Sequence, residues 1–266
     1  SVFVDSEPNT LQMSVKEIKT AITSKTKAIC VVHVLGNAGY IEEIRDICRK
    51  KNLWLIEDTC ESLGVKNKNK YLGTFGDIGT YSFYFSHHMT TIEGGMIVTN
   101  DDYIANKIKS LRSHGWTRDM DDAEMYERQF PEIDPRFLFV NVGYNLRSTD
   151  MNAAIGLVQL KKLKKYNESR HQIGLIWNKA FLHLKKKGLF FPMEVTKNTK
   201  ASWFGFPVIC KDQGTRDKLR EHLEKNGIET RPIICGNMTK QPGIKNILYR
   251  VSGKLNGADE IMNKGI

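Results

Sequence analysis

No apolar run in this 266-residue chain approaches the roughly 20 residues needed to cross a bilayer. The opening stretch SVFVDSEPNT has neither the basic start nor the apolar centre of a secretory leader. These absences point away from a membrane protein. Cysteine is scarce: Cys30, Cys48, Cys60, Cys210 and Cys235 are odd in number, form no C-x-x-C pair and sit mostly in apolar runs. That argues against a disulfide framework or a zinc site and for buried thiols in a reducing cytoplasm. No repeat and no low-complexity segment interrupts the chain. The net charge of +10 lies in lysine-rich patches, KKLKKY (161–166) and KKK (185–187), without interleaved aromatics. Such patches read as solvated helix faces rather than a nucleic-acid surface, and the charge suits an anionic small substrate.

What is present is an ordinary globular composition, 40% hydrophobic and 26% charged, able to bury a core. AICVVHV (28–34) and LWLIED (53–58) read as strands, the latter buried on both faces. Between them YIEEIRDICRKK (40–51) repeats isoleucine at helical spacing and ends in basic residues. TYSFYF (80–85) and GMIVTN (95–100) continue the strands, and Asp101 or Asp102 can cap a helix after them. Strand–helix alternation predicts an α/β fold whose mostly parallel sheet is covered on both sides. Residues 119–138 read as a loop. From about Thr149 to Lys187 the pattern is helical, with a break expected near Asn167. A strand SWFGFPVI (202–209), a helix TRDKLREHLEKN (215–226) and a strand IETRPII (228–234) follow, and the last thirty residues show no convincing element. The expected division is a large domain over 1–150, a connecting helix over 151–187 and a small C-terminal α/β domain over 188–266. Both ends read as cut, the first strand being entered from its inside.

Chemistry concentrates at two strand ends. Asp58 closes an apolar strand, where ligands of open α/β sheets sit, though an acid there can equally cap a turn. Glu61 follows in EDTCESLG, and Ser82 precedes the adjacent His87 and His88 in YSFYFSHHMTTIEGG. An acid at one strand end with a hydroxyl and an imidazole at another are parts that hold a phosphorylated aromatic cofactor. Adjacent side chains on an extended segment diverge, so the two histidines do not share a metal ion. Gly94 and Gly95 read as a turn in which a side chain would clash. The glycines of GTFGDIG do not run from a strand into a helix and are weak as a dinucleotide signal.

The array IEDTCESLG, GTFGDIGTYSFYFSHHMTTIEGGMIVTND, SHGWTRD and GYNLRSTDMNAAIGLVQL resembles the DegT/DnrJ/EryC1/StrS family of sugar aminotransferases, pyridoxal-phosphate enzymes of fold type I. The likeness runs along essentially the whole chain and is most specific over 56–100 and 141–160. The family carries a cofactor-anchoring lysine where this chain has His87, and a histidine there marks the dehydratase branch. That implies a lyase using pyridoxal 5'-phosphate and pyridoxamine 5'-phosphate on a GDP-linked 4-keto-6-deoxy hexose, with glutamate as amino donor, in a cytoplasmic homodimer. His87 would be the general base, an imidazole whose ordinary pKa of about 6.5 is close to cellular pH.

By the same resemblance Asp58 would pair with the pyridine nitrogen, Glu61 would lie near the ring hydroxyl and Ser82 would bind the phosphate. Asn145 would reach the phosphate of the other subunit. Arg147 would bind the glutamate carboxylate or a structural acid, Arg231 the substrate diphosphate, and His114 the sugar pocket. The family's glycine–serine phosphate turn near the N-terminus has no counterpart here. Three other readings are open to the sequence. A CDP-sugar dehydrase with an iron–sulfur cluster needs more than Cys210 and Cys235 supply. A sugar aminotransferase lacks its lysine. A cofactor-free interaction protein would not need Asp58, Glu61 and Ser82.

Overall fold

In the computed structural model, which describes residues 1–266, the chain opens with β1 (Val2–Phe3), α1 (Val15–Ala21) and β2 (Ala28–Val32). Next come α2 (Ile41–Lys51), β3 (Trp54–Asp58) and the short strands β4 (Lys66–Asn67) and β5 (Lys70–Tyr71). β6 (Ile78–Ser82), β7 (Gly95–Thr99), α3 (Asp102–Leu111) and α4 (Ala123–Gln129) lead to the long helix α5 (Asp150–Ala180) and its short continuation α6 (Leu182–Lys186). The remainder comprises β8 (Phe190–Pro192), β9 (Thr199–Lys200), β10 (Val208–Cys210), α7 (Gln213–Lys225), β11 (Arg250–Val251) and α8 (Asn256–Lys264).

The central sheet runs β2–β3–β6–β7, the first three parallel and β7 antiparallel. Its register sets Val32 beside Asp58 and Asp58 beside Thr80. Since side chains alternate along a strand, Asp58, Thr80 and Ser82 share one face and Glu57 lies on the other. The Glu57 face is packed: Ile29, Val31 and Leu55 meet Val15 and Ile18 of α1 and Ile41, Ile44 and Cys48 of α2. Each fully buried branched side chain here contributes about 1.5–3 kcal/mol. The Asp58 face is open, with Trp54 47% and Ile97 48% exposed. The expected cover on both sides is therefore absent: α1 and α2 pack on the same face, and nothing in these 266 residues covers the other.

A second core joins distant parts of the chain. Leu11, Leu35, Met193, Ala201, Trp203, Ile209, Ile233 and Ile261 pack together. β1 pairs with β11, and the Asp5 carboxylate accepts the Gly257 and Ala258 N–H groups at the start of α8, both at 2.8 Å. These are first-turn amides with no partner inside the helix.

Several elements differ from expectation. α5 passes unbroken through Asn167 and ends at Ala180. Asn167 does not compete for its own backbone because its side chain points outward, donating to the Leu63 carbonyl at 2.9 Å and accepting from the Ser202 hydroxyl at 3.0 Å. Residues 119–138 contain α4 and a short 3₁₀ turn, Pro135–Phe137, entered through Asp134. The strand expected over 202–209 shrinks to β10, with Trp203 turned inward against Gly174. Residues 228–234 pair with no strand and leave Ile228 and Ile234 exposed. The final thirty residues do contain an element, α8. Asp101 is the acid that caps α3, accepting from Ile104 N–H at 2.8 Å.

Candidate active site

The end of β3 and the turn after β6 bring Asp58, Cys60, Glu61 and His87 together. Asp58 Oδ1 accepts the Cys60 N–H at 3.0 Å, so the turn-capping role and the strand-end position coexist. The Glu61 carboxylate accepts Leu35 N–H at 2.8 Å from a 3₁₀ turn in which Leu35 takes a left-handed φ of 53°. Burial raises the Glu61 carboxyl, the Leu35 amide opposes this and the Asp58 charge adds to it. Burial, a hydrogen bond to Asp58 and the Asp58 charge push the Cys60 thiol up to about 12.

His87 sits in a turn closed by its N–H to the Tyr84 carbonyl at 3.0 Å. The segment is therefore not extended, and the expected divergence of the two histidines fails: both rings flank Phe204. The His87 ring meets Phe204 edge-on at 5.3 Å and Tyr84 at 5.7 Å, and the His88 ring lies 5.7 Å from Phe204. Burial lowers the His87 imidazole below its ordinary value, while the Cys60 carbonyl and Asp58 pull the other way. His87 is consequently neutral at cellular pH, the state a proton acceptor needs. His87 Nδ1 is shielded from water and bonded to no protein group.

Ser82 Oγ accepts the Tyr84 N–H at 3.2 Å, which leaves its hydroxyl proton free to donate to a ligand oxygen. Asn145, Arg147 and His114 form a second group. The 113–116 segment bridges to 139–145, His114 N–H donates to the Tyr144 carbonyl at 2.7 Å, and the His114 ring packs on Trp116. Arg147 donates to Asn145 Oδ1 at 3.4 Å and lies over Trp116 at 5.9 Å. Arg231 is exposed and paired with Glu229 at 2.9 Å. No three His, Cys, Asp or Glu side chains gather as metal ligands.

The GTFGDIG glycines serve the site from beneath. Gly73, Phe75 and Gly76 N–H groups donate to the buried Glu57 carboxylate at 2.8, 2.6 and 2.6 Å, an anion nest filled by the chain's own acid. A Cβ on Gly94 would strike Thr91 Oγ1, in keeping with a backbone requirement there. Sequence reasoning missed Tyr84 and Phe204 as walls and Cys60 as a neighbour of the base. The aromatic cluster in SWFGFPV was visible, but nothing in its pattern says which ring turns toward His87.

The fold and the sequence as a whole have close counterparts. The model of the "DegT/DnrJ/EryC1/StrS aminotransferase family" matches residues 1–266. The chain is 37% identical over 271 residues to GDP-4-keto-6-deoxy-D-mannose 3-dehydratase of Yersinia pseudotuberculosis, covering 99% of this chain and 67% of that protein. It is 38% identical over 277 residues to lipopolysaccharide biosynthesis protein RfbH of Salmonella typhimurium, covering 99% of this chain and 62% of that protein. The Escherichia coli GDP-4-keto-6-deoxy-D-mannose-3-dehydratase structure with bound hydrated PLP superposes at a TM-score of 0.88 and 37% identity, covering 99% of this chain and 68% of that one. The chain thus spans about two thirds of the length of these relatives. The match over its whole length, in fold and in sequence, makes it a member of the DegT/DnrJ/EryC1/StrS aminotransferase family.

Proposed function

We propose that the protein is a dehydratase that removes the 3-hydroxyl of a GDP-linked 4-keto-6-deoxy sugar, with pyridoxal/pyridoxamine phosphate as cofactor and glutamate as amino donor, supplying deoxysugars for lipopolysaccharide. The observation that carries this reading is His87: an imidazole, not an amine, stands beside Asp58 and Cys60 between two aromatic walls. Relatives bearing the dehydratase name support it, as do solved neighbours holding hydrated PLP, a PLP–glutamate adduct and GDP-perosamine.

The residues present fit such a cofactor. Asp58 offers a carboxylate to a protonated ring nitrogen, Ser82 a hydroxyl proton to a phosphate, and the orphaned Nδ1 of His87 a proton-accepting atom. When bound, the pyridine ring supplies an electron sink that lets the carbon–oxygen bond at sugar carbon 3 break. His87 takes up a proton at that nitrogen; base catalysis of this kind contributes about 10²–10⁴ in rate. Glu61, its carboxyl raised by burial and anchored by the Leu35 N–H, would place its carboxyl group near the ring hydroxyl. Tyr84 and Phe204 flank the imidazole edge-on and bury part of it.

The assembly is part of the same reading. Val142, Tyr144, Leu146, Met151 and Leu157 are exposed along one continuous stretch, Val142 at 96%, as a homodimer interface requires. Asn145 and Arg147 lie in that stretch and would complete the second copy's site. Five free thiols fit the cytoplasm.

The test is to load the full chain with pyridoxal phosphate, add glutamate and then GDP-4-keto-6-deoxymannose. A glutamate-dependent absorbance shift and a product lacking the 3-hydroxyl and carrying no amino group are expected. An amino sugar as product, or a chain labelled by cofactor after borohydride, overturns the reading.

A further inference from the structure

We propose that His88 is a positioning residue for His87: tied to the Ser202 carbonyl, it holds the Phe204 ring between the two imidazoles and so fixes the pose and partial burial of His87. The inference rests on His87 being the base.

His88 is buried to 2% exposure and lies 3.0 Å from the Ser202 carbonyl through Nε2. A carbonyl only accepts, so Nε2 carries the proton and Nδ1 does not. The acceptor is held from three other sides. Ser202 N–H donates to Gly36 O at 3.0 Å and Ser202 Oγ to Asn167 at 3.0 Å, while His171 Nδ1 donates to the Ala201 carbonyl at 2.9 Å. Phe204 N–H donates to Leu35 O at 3.1 Å, and Leu35 N–H donates to Glu61. Phe204 is thus fixed at its backbone by the turn that also carries the Glu61 contact, and at its ring by two imidazoles.

Removing the His88 bond leaves only ring contacts between the histidine turn and this scaffold. The charged and titratable groups around the pair are Asp58 and Cys60 at the end of β3, Glu61 just beyond, Tyr84 in the same turn and Arg170 on α5. Arg170 makes no ion pair or side-chain hydrogen bond, and its charge bears on His88 from the α5 side. Burial, Arg170 and His87 together push His88 down to about 4, against the Ser202 bond. His88 therefore stays neutral through the physiological range and is unsuited to relay protons, but suited to a fixed donor role.

The experiment follows the imidazole resonances of the full chain by NMR across pH, with His87→Asn supplying the assignment. His88→Leu removes the donor, His88→Gln keeps one, and Phe204→Leu removes the wall while leaving the Ser202 bond. His88→Leu and Phe204→Leu are expected to move the His87 midpoint up toward the ordinary value of about 6.5 and to lower kcat about tenfold at constant KM. His88→Gln is expected to restore both. An unmoved His87 midpoint in folded His88→Leu overturns the proposal; should that variant not fold, an unmoved midpoint in Phe204→Leu does so. Dehydration surviving in His87→Asn would instead sink the base assignment and leave the titration result standing.

Discussion

His33 Nε2 lies 3.0 Å from Glu57 Oε2, with both side chains wholly out of water. His33 Nδ1 accepts Gly39 N–H at 2.9 Å, so the proton on the ring belongs to Nε2 and points at the carboxylate. The pair sits directly under Asp58, one residue along β3, and fixes the strand end that carries the site.

Replacing Glu57 by Gln should cost about 3–5 kcal/mol, because a buried partner set is broken and amide N–H groups from the 73–76 loop lose an acceptor. Burial pushes the Glu57 carboxyl up, but the His33 hydrogen bond and the Gly76 and Gly73 amides outweigh it, and the group is held below the usual carboxylate range. A lowered folded value means its stabilisation is complete above the unfolded pKa of about 4.3 and is lost as pH falls through the folded value. Urea midpoints measured from pH 7 to 3 should therefore fall less steeply in Glu57→Gln than in the parent; parallel curves would contradict this.

His87→Asn should retain noncovalent cofactor through Asp58 and Ser82 and lose dehydration by about 10²-fold or more, since an amide takes up no proton. His87→Lys places an amine within reach of the cofactor aldehyde, and borohydride should then fix cofactor to that variant alone. Mass spectrometry of the intact chains reads both outcomes, and labelling of the parent would point to another lysine as anchor.

Gly36 has φ +82°, and a Cβ there would run into the Ser202 carbonyl. Gly36→Ala should lower stability by about 1–3 kcal/mol and displace the 202–204 segment. The expected signature is a loss of turnover larger than the loss of cofactor affinity. Equal losses would place the damage elsewhere.

Leu146 is 71% exposed beside Asn145 and Arg147. Leu146→Glu should shift sedimentation from dimer toward monomer and weaken cofactor binding with it. A monomeric parent that remains fully active would remove the shared-site reading.

The early strands and α2 were legible because isoleucine spacing and flat apolar runs are local signals. The placement of Asp58 and Ser82 was legible for the same reason: both stand at strand ends that those runs define. The 228–234 stretch looked like a strand from composition alone, and a strand needs a partner edge that local sequence does not reveal. Asn167 looked like a break because a polar residue in a helix competes for its own backbone, and only the Leu63 and Ser202 contacts explain why it does not. Phe204 reaches His87 across more than a hundred residues of chain, a distance over which no local pattern speaks.

The open face of the central sheet sets how this polypeptide behaves in solution. Trp54, Ile97 and Val32 stand on that face, and β2 leaves its outer edge unpaired. Such a surface favours self-association, and the +10 charge opposes it by mutual repulsion. Repulsion between exposed charges reaches only about 10 Å at 0.1 M salt and about 3 Å at 1 M. The isolated chain should therefore stay dispersed in dilute buffer and aggregate as salt is raised, with light scattering tracking the loss. Trp54→Lys, which puts a charge on the bare face itself, should move the onset of turbidity to higher salt.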